Sequence, residues 1–174
     1  MENQNSATKI MLMYGAILAG LSVLINLINY SFGNIYQPHW SIGIVSFILL
    51  IGIIVYGIKV FKDGNNGFLT LGQAIKIGLG ITLISAIIGI IYQLIFSNVI
   101  EPDFYAKMAE YQEQVMLEKF PDMPEEQLEK ALEMTQKFSS PGMMAAFALG
   151  GSLLFGLIIS LIAGLILKKE ETAF

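Results

Sequence analysis

The sequence predicts an all-α integral membrane protein: a bundle of four spans, with an acidic helical hairpin outside the membrane between the third and fourth. Three observations lead there. Apolar residues make up 55% of the 174-residue chain and charged residues only 14%, a balance too greasy for a soluble domain of this size. No Asp, Glu, Lys or Arg occurs between Ile10 and Ile58, between Ile77 and Ile100, or between Phe138 and Leu167. A hydrocarbon core about 30 Å thick takes roughly 20 helical residues, so these three runs hold four spans. The polar residues gather instead in one stretch, Glu101 to Lys137, where ten acids stand against four lysines for a local charge of −6.

The first span is expected at residues 10–32. Ahead of it Glu2 is set against Lys9, a weak start for a signal peptide. The apolar stretch also outruns the roughly 7–15 residues of a signal-peptide core, so the span is expected to be retained. The second span, 40–60, follows SFGNIYQPHW, in which Gly33 and Pro38 supply turn chemistry while Tyr36 and Trp40 suit a membrane–water interface. His39 is the sole histidine. Lacking a partner for a metal or a triad, it reads as an interfacial turn residue.

The third span, 71–96, is entered through KDGNNGFLT. Thr70 and Gln73 fit a capping box that starts the helix at Leu71. Such a helix is about 39 Å long, more than the bilayer core requires. Lys76 then lies only about 8 Å along it, within snorkelling reach of the headgroups. On a helical wheel Lys76 points about 160° away from the line Gly78, Thr82, Ser85, Gly89. A cation near a helix N-terminus is electrostatically disfavoured, so an anion is expected beside it, either Asp63 or a lipid phosphate. Thr70, Gln73 and Lys76 are therefore the expected lipid-headgroup contact. The fourth span, 143–167, leaves the membrane through Lys168 and Lys169.

Within the acidic stretch Phe104, Met108, Tyr111 and Val115 fall on one helical face. Pro121 stops that helix. Asp122 and Glu125 fit a second capping box, ahead of an inner side of Leu128, Ala131, Leu132, Thr135 and Phe138. The two helices form a hairpin insertion at 101–140, expected across the outer mouth of a single membrane domain that spans residues 1–174.

Three spans carry lines of small or weakly polar residues: Gly15, Ala19, Ser22, Asn26 and Asn29; Gly78, Thr82, Ser85 and Gly89; and Ala148, Ser152, Gly156, Ser160 and Gly164. Such lines let backbones approach closely in lipid, and they are read as helix-packing seams within the chain or between copies. The competing reading is a polar path through the bundle. Asn26 and Asn29 are expected to bond to neighbouring helices rather than to an ion. No Asp or Glu lies inside any span, which weakens the case for a coupled transporter.

All ten basic residues are lysine. Lys9, Lys59, Lys62, Lys76, Lys168 and Lys169 fall on one side, against four in the acidic stretch. The positive-inside rule then places both termini and the KDGNNG turn in the cytoplasm. With no cysteine and one histidine, thiolate chemistry, disulfides and Cys/His zinc sites within this chain are excluded. The acidic stretch lacks the order of a calcium loop, and KDGNNG lacks the Gly-Lys-Ser/Thr ending of a phosphate loop. No nucleophile–base pair stands out, so neither enzyme activity nor a cofactor, a metal or a nucleic-acid partner is expected. The expected function is structural or accessory, with membrane lipids as partners and the hairpin offering a surface to another membrane protein or a second copy. The alternative is a small transporter or channel subunit acting as an oligomer. A membrane-embedded enzyme subunit would need a convergent polar pocket.

Three segments, GFLTLGQAIKIG, IEPDFYAKMAEY and GLIISLIAGLILKK, give the chain a likeness to a known group. It resembles the four-span bacterial membrane proteins called domain of unknown function family 4199. There a Gly-rich cytoplasmic turn leads into a Ser/Thr–aromatic–Gly–x–Ala–x–Lys-type stretch, and here Leu71 stands where an aromatic is common. A Pro-Asp-Phe element, here Pro102-Asp103-Phe104, opens the charged outer segment, and the last span ends in basic residues. The resemblance covers most of the chain. It implies the four-span topology and a bacterial inner membrane, and it implies no activity.

Overall fold

Four helices in the computed structural model are long and apolar enough to cross a membrane: Ser6–Phe32, Trp40–Gly64, Leu71–Ile100 and Pro141–Leu167. The structure describes residues 2–169, with side chains from Ser6 onward. The side chain of Glu2 and the two chain ends lie outside the described residues. The protein is an all-α integral membrane protein. Its elements are α1 (Glu2–Phe32), α2 (Trp40–Gly64), α3 (Leu71–Ile95, continued by a π-helical turn Phe96–Ile100), α4 (Phe104–Lys119), α5 (Glu125–Phe138) and α6 (Pro141–Leu167).

Helix α2 runs beyond its charge-free stretch as far as Gly64. Asn65 ends it by donating its N–H to the Lys62 carbonyl, and Asn66 (φ 54°) and Gly67 (φ 80°) then reverse the chain. Both residues tolerate the left-handed region, Gly because it has no Cβ and Asn because its short amide can bond locally. Helix α4 ends at Lys119, and Phe120, held before Pro121, leaves the helical region.

Helix α5 departs from expectation. It begins at Glu125 with Pro124 as its N-cap (φ −56°, ψ 140°) and no capping side chain, so Asp122 and Glu125 do not form a box. Proline fixes its own φ and pushes Met123 out of the helical region, so the helix cannot reach back to Asp122. The N–H groups of Gln127 and Leu128 bond instead to the Pro124 carbonyl, at 2.9 and 3.0 Å.

The chain divides into two compact units. The first comprises the chain up to Gly89 and from Leu149 onward. Its core joins Ala7, Ile10, Tyr14 and Leu18 of α1 to Ile54, Ile58 and Phe61 of α2, with Leu69, Ala74, Ile77, Ile81, Ile159 and Ala163. Helix α3 is the shared neighbour. A Cβ added at Gly15 of α1 would meet Ile84 Cβ at 2.7 Å, and one at Gly80 would meet Met11 Cγ at 2.6 Å. These pairs advance together, so α1 and α3 run in the same direction. On α6 the pairs run the opposite way: Gly156 would meet Thr82 Oγ1 at 2.5 Å, Gly78 would meet Ser160 Cβ at 2.8 Å, and Gly164 would meet Ala74 Cβ at 2.9 Å. Gly57 of α2 would meet Ile81 Cδ1 at 2.6 Å.

The second unit, Ile90–Ala148, takes in the hairpin and the helix ends that carry it. Phe96 and Phe104 are its buried apolar side chains. Their rings meet edge to face at 5.7 Å, and Tyr92 lies 5.8 Å from Phe96. At the far end Phe138 and Phe147 are 6.0 Å apart. Helices α4 and α5 pack on each other. The hydroxyl of Ser139 donates to Gln112 Oε1 at 3.1 Å. Met108, Tyr111, Val115, Leu128, Ala131, Leu132 and Thr135 are half-buried, whereas Phe138 is exposed.

The glycine contacts predict opposite outcomes at two positions on α3. Gly78→Ala drives a methyl group into Ser160 and is expected to cost about 1–3 kcal/mol, lowering the unfolding temperature in detergent by several degrees. Gly89→Ala, with nothing within 4 Å of the new Cβ, is expected to leave it unchanged or raise it slightly, since alanine is the better helix former.

Candidate functional site

One end of the first unit gathers lysines around a backbone clip. Leu69 lies just before α3 and Lys169 just after α6, where helical hydrogen bonding has run out and backbone groups need other partners. They pair with each other: Leu69 N–H donates to Lys169 O at 2.9 Å, and Lys169 N–H to Leu69 O at 3.0 Å. Leu69 is fully buried. The Lys169 ammonium sits 5.7 Å from the centroid of the Phe68 ring, a cation–π contact. The Asn65 amide donates to Phe68 O at 2.9 Å, so the turn, the clip and the exit of α6 are tied together. Lys59, Lys76, Lys168 and Lys169 are exposed at this end, and Lys62 is half-buried.

Thr70 and Gln73 bond reciprocally. Thr70 N–H donates to Gln73 Oε1 at 2.9 Å, and Gln73 N–H to Thr70 Oγ1 at 3.2 Å. The box satisfies two amides that a bare helix end would offer to an anion. Lys76 is exposed, while Ala74, Ile77 and Gly78 on either side of it are buried. No ion pair joins Lys76 to Asp63 among the described residues, where ion pairs occur at Lys107–Glu101 and Lys130–Glu126. Asp63 is exposed in the last turn of α2, and an exposed pair would gain too little to hold two mobile side chains together.

The small-residue lines are covered only in part. Thr82 is 1% exposed and its hydroxyl is shared between the Gly78 and Leu79 carbonyls, both at 3.0 Å. Ser160 is fully buried and donates to the Gly156 carbonyl. Gly78, Thr82, Gly156, Ser160 and Gly164 thus come together. Ser85 and Ser152 are half-buried, Ala148 is exposed, and the space around Gly89 is open. On α1, Gly15 and Ala19 are buried, but Ser22 is exposed and returns its hydroxyl to Leu18 O at 2.9 Å. Helices that cross at an angle separate away from the crossing, so a face continuous in sequence is covered over part of its length.

Asn26 is half-buried. Among the described residues Asn29, 9% exposed, has no bond to a neighbouring helix, contrary to expectation. Its amide reaches the Asn34 carbonyl at 3.5 Å, and its own carbonyl accepts from Gly33 N–H at 2.9 Å. It closes the end of α1, where carbonyls otherwise lack partners. Sequence reasoning missed Gly57 and Gly80 as contact points. The available signal was the pair Gly78 and Gly80, which put glycine on two faces of α3 and so implied a neighbour on each.

The profile of the family described as Protein of unknown function (DUF4199) matches residues 13–169. The chain belongs to this family. The DUF4199 match runs from within α1 to the residue that closes the clip, so it takes in most of α1, the other three spans, the hairpin and the lysine-rich turn. No curated protein and no solved structure matches the chain.

Proposed function

We propose that this DUF4199 protein is a non-enzymatic structural or accessory protein of a bacterial inner membrane. Both termini and the KDGNNG turn lie on the cytoplasmic face, where anionic phospholipid holds the lysines, and the acidic hairpin presents a surface to a protein partner on the other side. The observation that carries this reading is the contact between α3 and α6. Thr82 and Ser160 are enclosed there and spend their hydroxyls on their own helices, so neither is left to line a route for a solute. Dry packing of this kind suits a scaffold better than a conduit.

Two further features support the assignment of the two faces. The clip fixes Lys168 and Lys169 beside the entry of α3, and a lysine near an anionic surface gains about 1 kcal/mol. On the hairpin Leu117, Phe120, Met134 and Phe138 are exposed among ten acids, an apolar surface with an acidic surround that fits a basic partner.

Three measurements test this reading. Phospholipid retained through purification in mild detergent is expected to be enriched in anionic headgroups. The triple variant Lys76→Gln, Lys168→Gln, Lys169→Gln should lose at least about half of that enrichment, and identical lipid profiles would end the lipid assignment. The chain has no cysteine, so an impermeant thiol reagent should label Glu133→Cys from outside intact inner-membrane cells and Asn66→Cys only after lysis. The reverse pattern inverts the orientation. Crosslinking in the native membrane should give adducts to another protein that vanish when residues 101–140 are deleted, while adducts unchanged by the deletion remove the hairpin's role.

A further inference from the structure

Buried hydroxyls in the first unit have a common solution: Thr82 and Ser160 each donate to a carbonyl three or four residues back in the same helix. Ser97 does not. It is 6% exposed, and its Oγ has no hydrogen-bond partner among the described residues. One turn earlier the Gln93 Nε2 atom is likewise buried and unpartnered. The backbone here is π-helical, and Glu101 N–H donates to the Phe96 carbonyl at 2.8 Å rather than to that of Ser97. The next residue is Pro102, which has no N–H. Pro102 thus removes the π hydrogen bond that the Ser97 carbonyl would otherwise accept.

We propose that Gln93 and Ser97 hold one internal water molecule at the π turn. A buried polar atom without a partner costs about 1–3 kcal/mol, so two such atoms one turn apart call for a ligand. Residues four apart share a helix face, with Cβ atoms roughly 6 Å apart. The two side chains do not satisfy each other here, and a gap of that size is the span of one molecule making two ordinary hydrogen bonds. The donor set defines the ligand. An amide NH₂ donates and repels a cation, a hydroxyl both donates and accepts, and a carbonyl accepts. All three are neutral, so neither a bare anion nor a bare cation is matched. A water accepts from Gln93, donates to the Ser97 carbonyl and exchanges one bond with the Ser97 hydroxyl, giving the roughly three bonds a buried water makes. The site lies on a π turn, a backbone form frequent at functional positions. This inference stands apart from the accessory role proposed above.

The test is a double-mutant cycle on the full chain in detergent, with Ser97→Ala, Gln93→Leu and the two combined. With a shared water, each single variant is expected to lower the unfolding temperature by about 2–6 °C. The double variant should lose clearly less than the sum, because the first substitution already breaks the bridge. If either single variant leaves the temperature unchanged or raises it, the polar groups were unpaired and the proposal falls. It falls equally if the two losses add. Should Gln93→Leu fail to fold, Gln93→Met, of similar length, takes its place in the cycle with the same readings.

Discussion

In a bilayer two apolar helices gain little by exchanging lipid for each other, so what holds them together is how closely their backbones approach. In this protein that constraint falls on α3. Glycine or a small side chain stands at its contacts with α1, α2 and α6: Gly15 and Gly80, Gly57, and the ladder of Gly78, Gly156 and Gly164. Each contact places a bulkier side chain where a Cβ would stand, Ile84, Met11, Ile81, Ser160 or Thr82. Through these contacts α3 meets the other three spans of the first unit, while Gly72 and Gly89 on the same helix face open space.

The same closeness governs the polar groups. Thr82 and Ser160 lie buried against glycines and turn their hydroxyls back to their own helices' carbonyls. The buried hydroxyls of this contact are satisfied within their own helices. At the π turn the hydroxyl of Ser97 and the amide nitrogen of Gln93 are buried without such a partner among the described residues. Polar residues of similar type thus take different roles, according to whether the helix beneath them is regular.

Charge follows a different logic. Lysines at the turn and at the end of α6 are far apart in the chain, yet the pairing of Leu69 with Lys169 puts them at one end. Backbone groups just outside two helices needed partners and found each other. The ammonium of Lys169 then rests on Phe68, while Lys76 remains exposed without an ion-pair partner among the described residues.

The chain alone determined whatever depends on neighbours in sequence. Three charge-free runs specified four spans, because burying a charge in hydrocarbon is costly at any position. The spacing of Thr70 and Gln73 specified a capping box, because both bonds close within four residues. The same spacing misled at Asp122 and Glu125, where Pro124 intervenes and restricts the residue before it. Tertiary structure alone decided which points of each small-residue line are covered, where Asn29 spends its amide, that Gly57 and Gly80 are contacts, and that Leu69 meets Lys169. The physical reason is common to all of these. A helix face is a property of sequence, but coverage of that face depends on the crossing of a second helix, whose position no local spacing encodes.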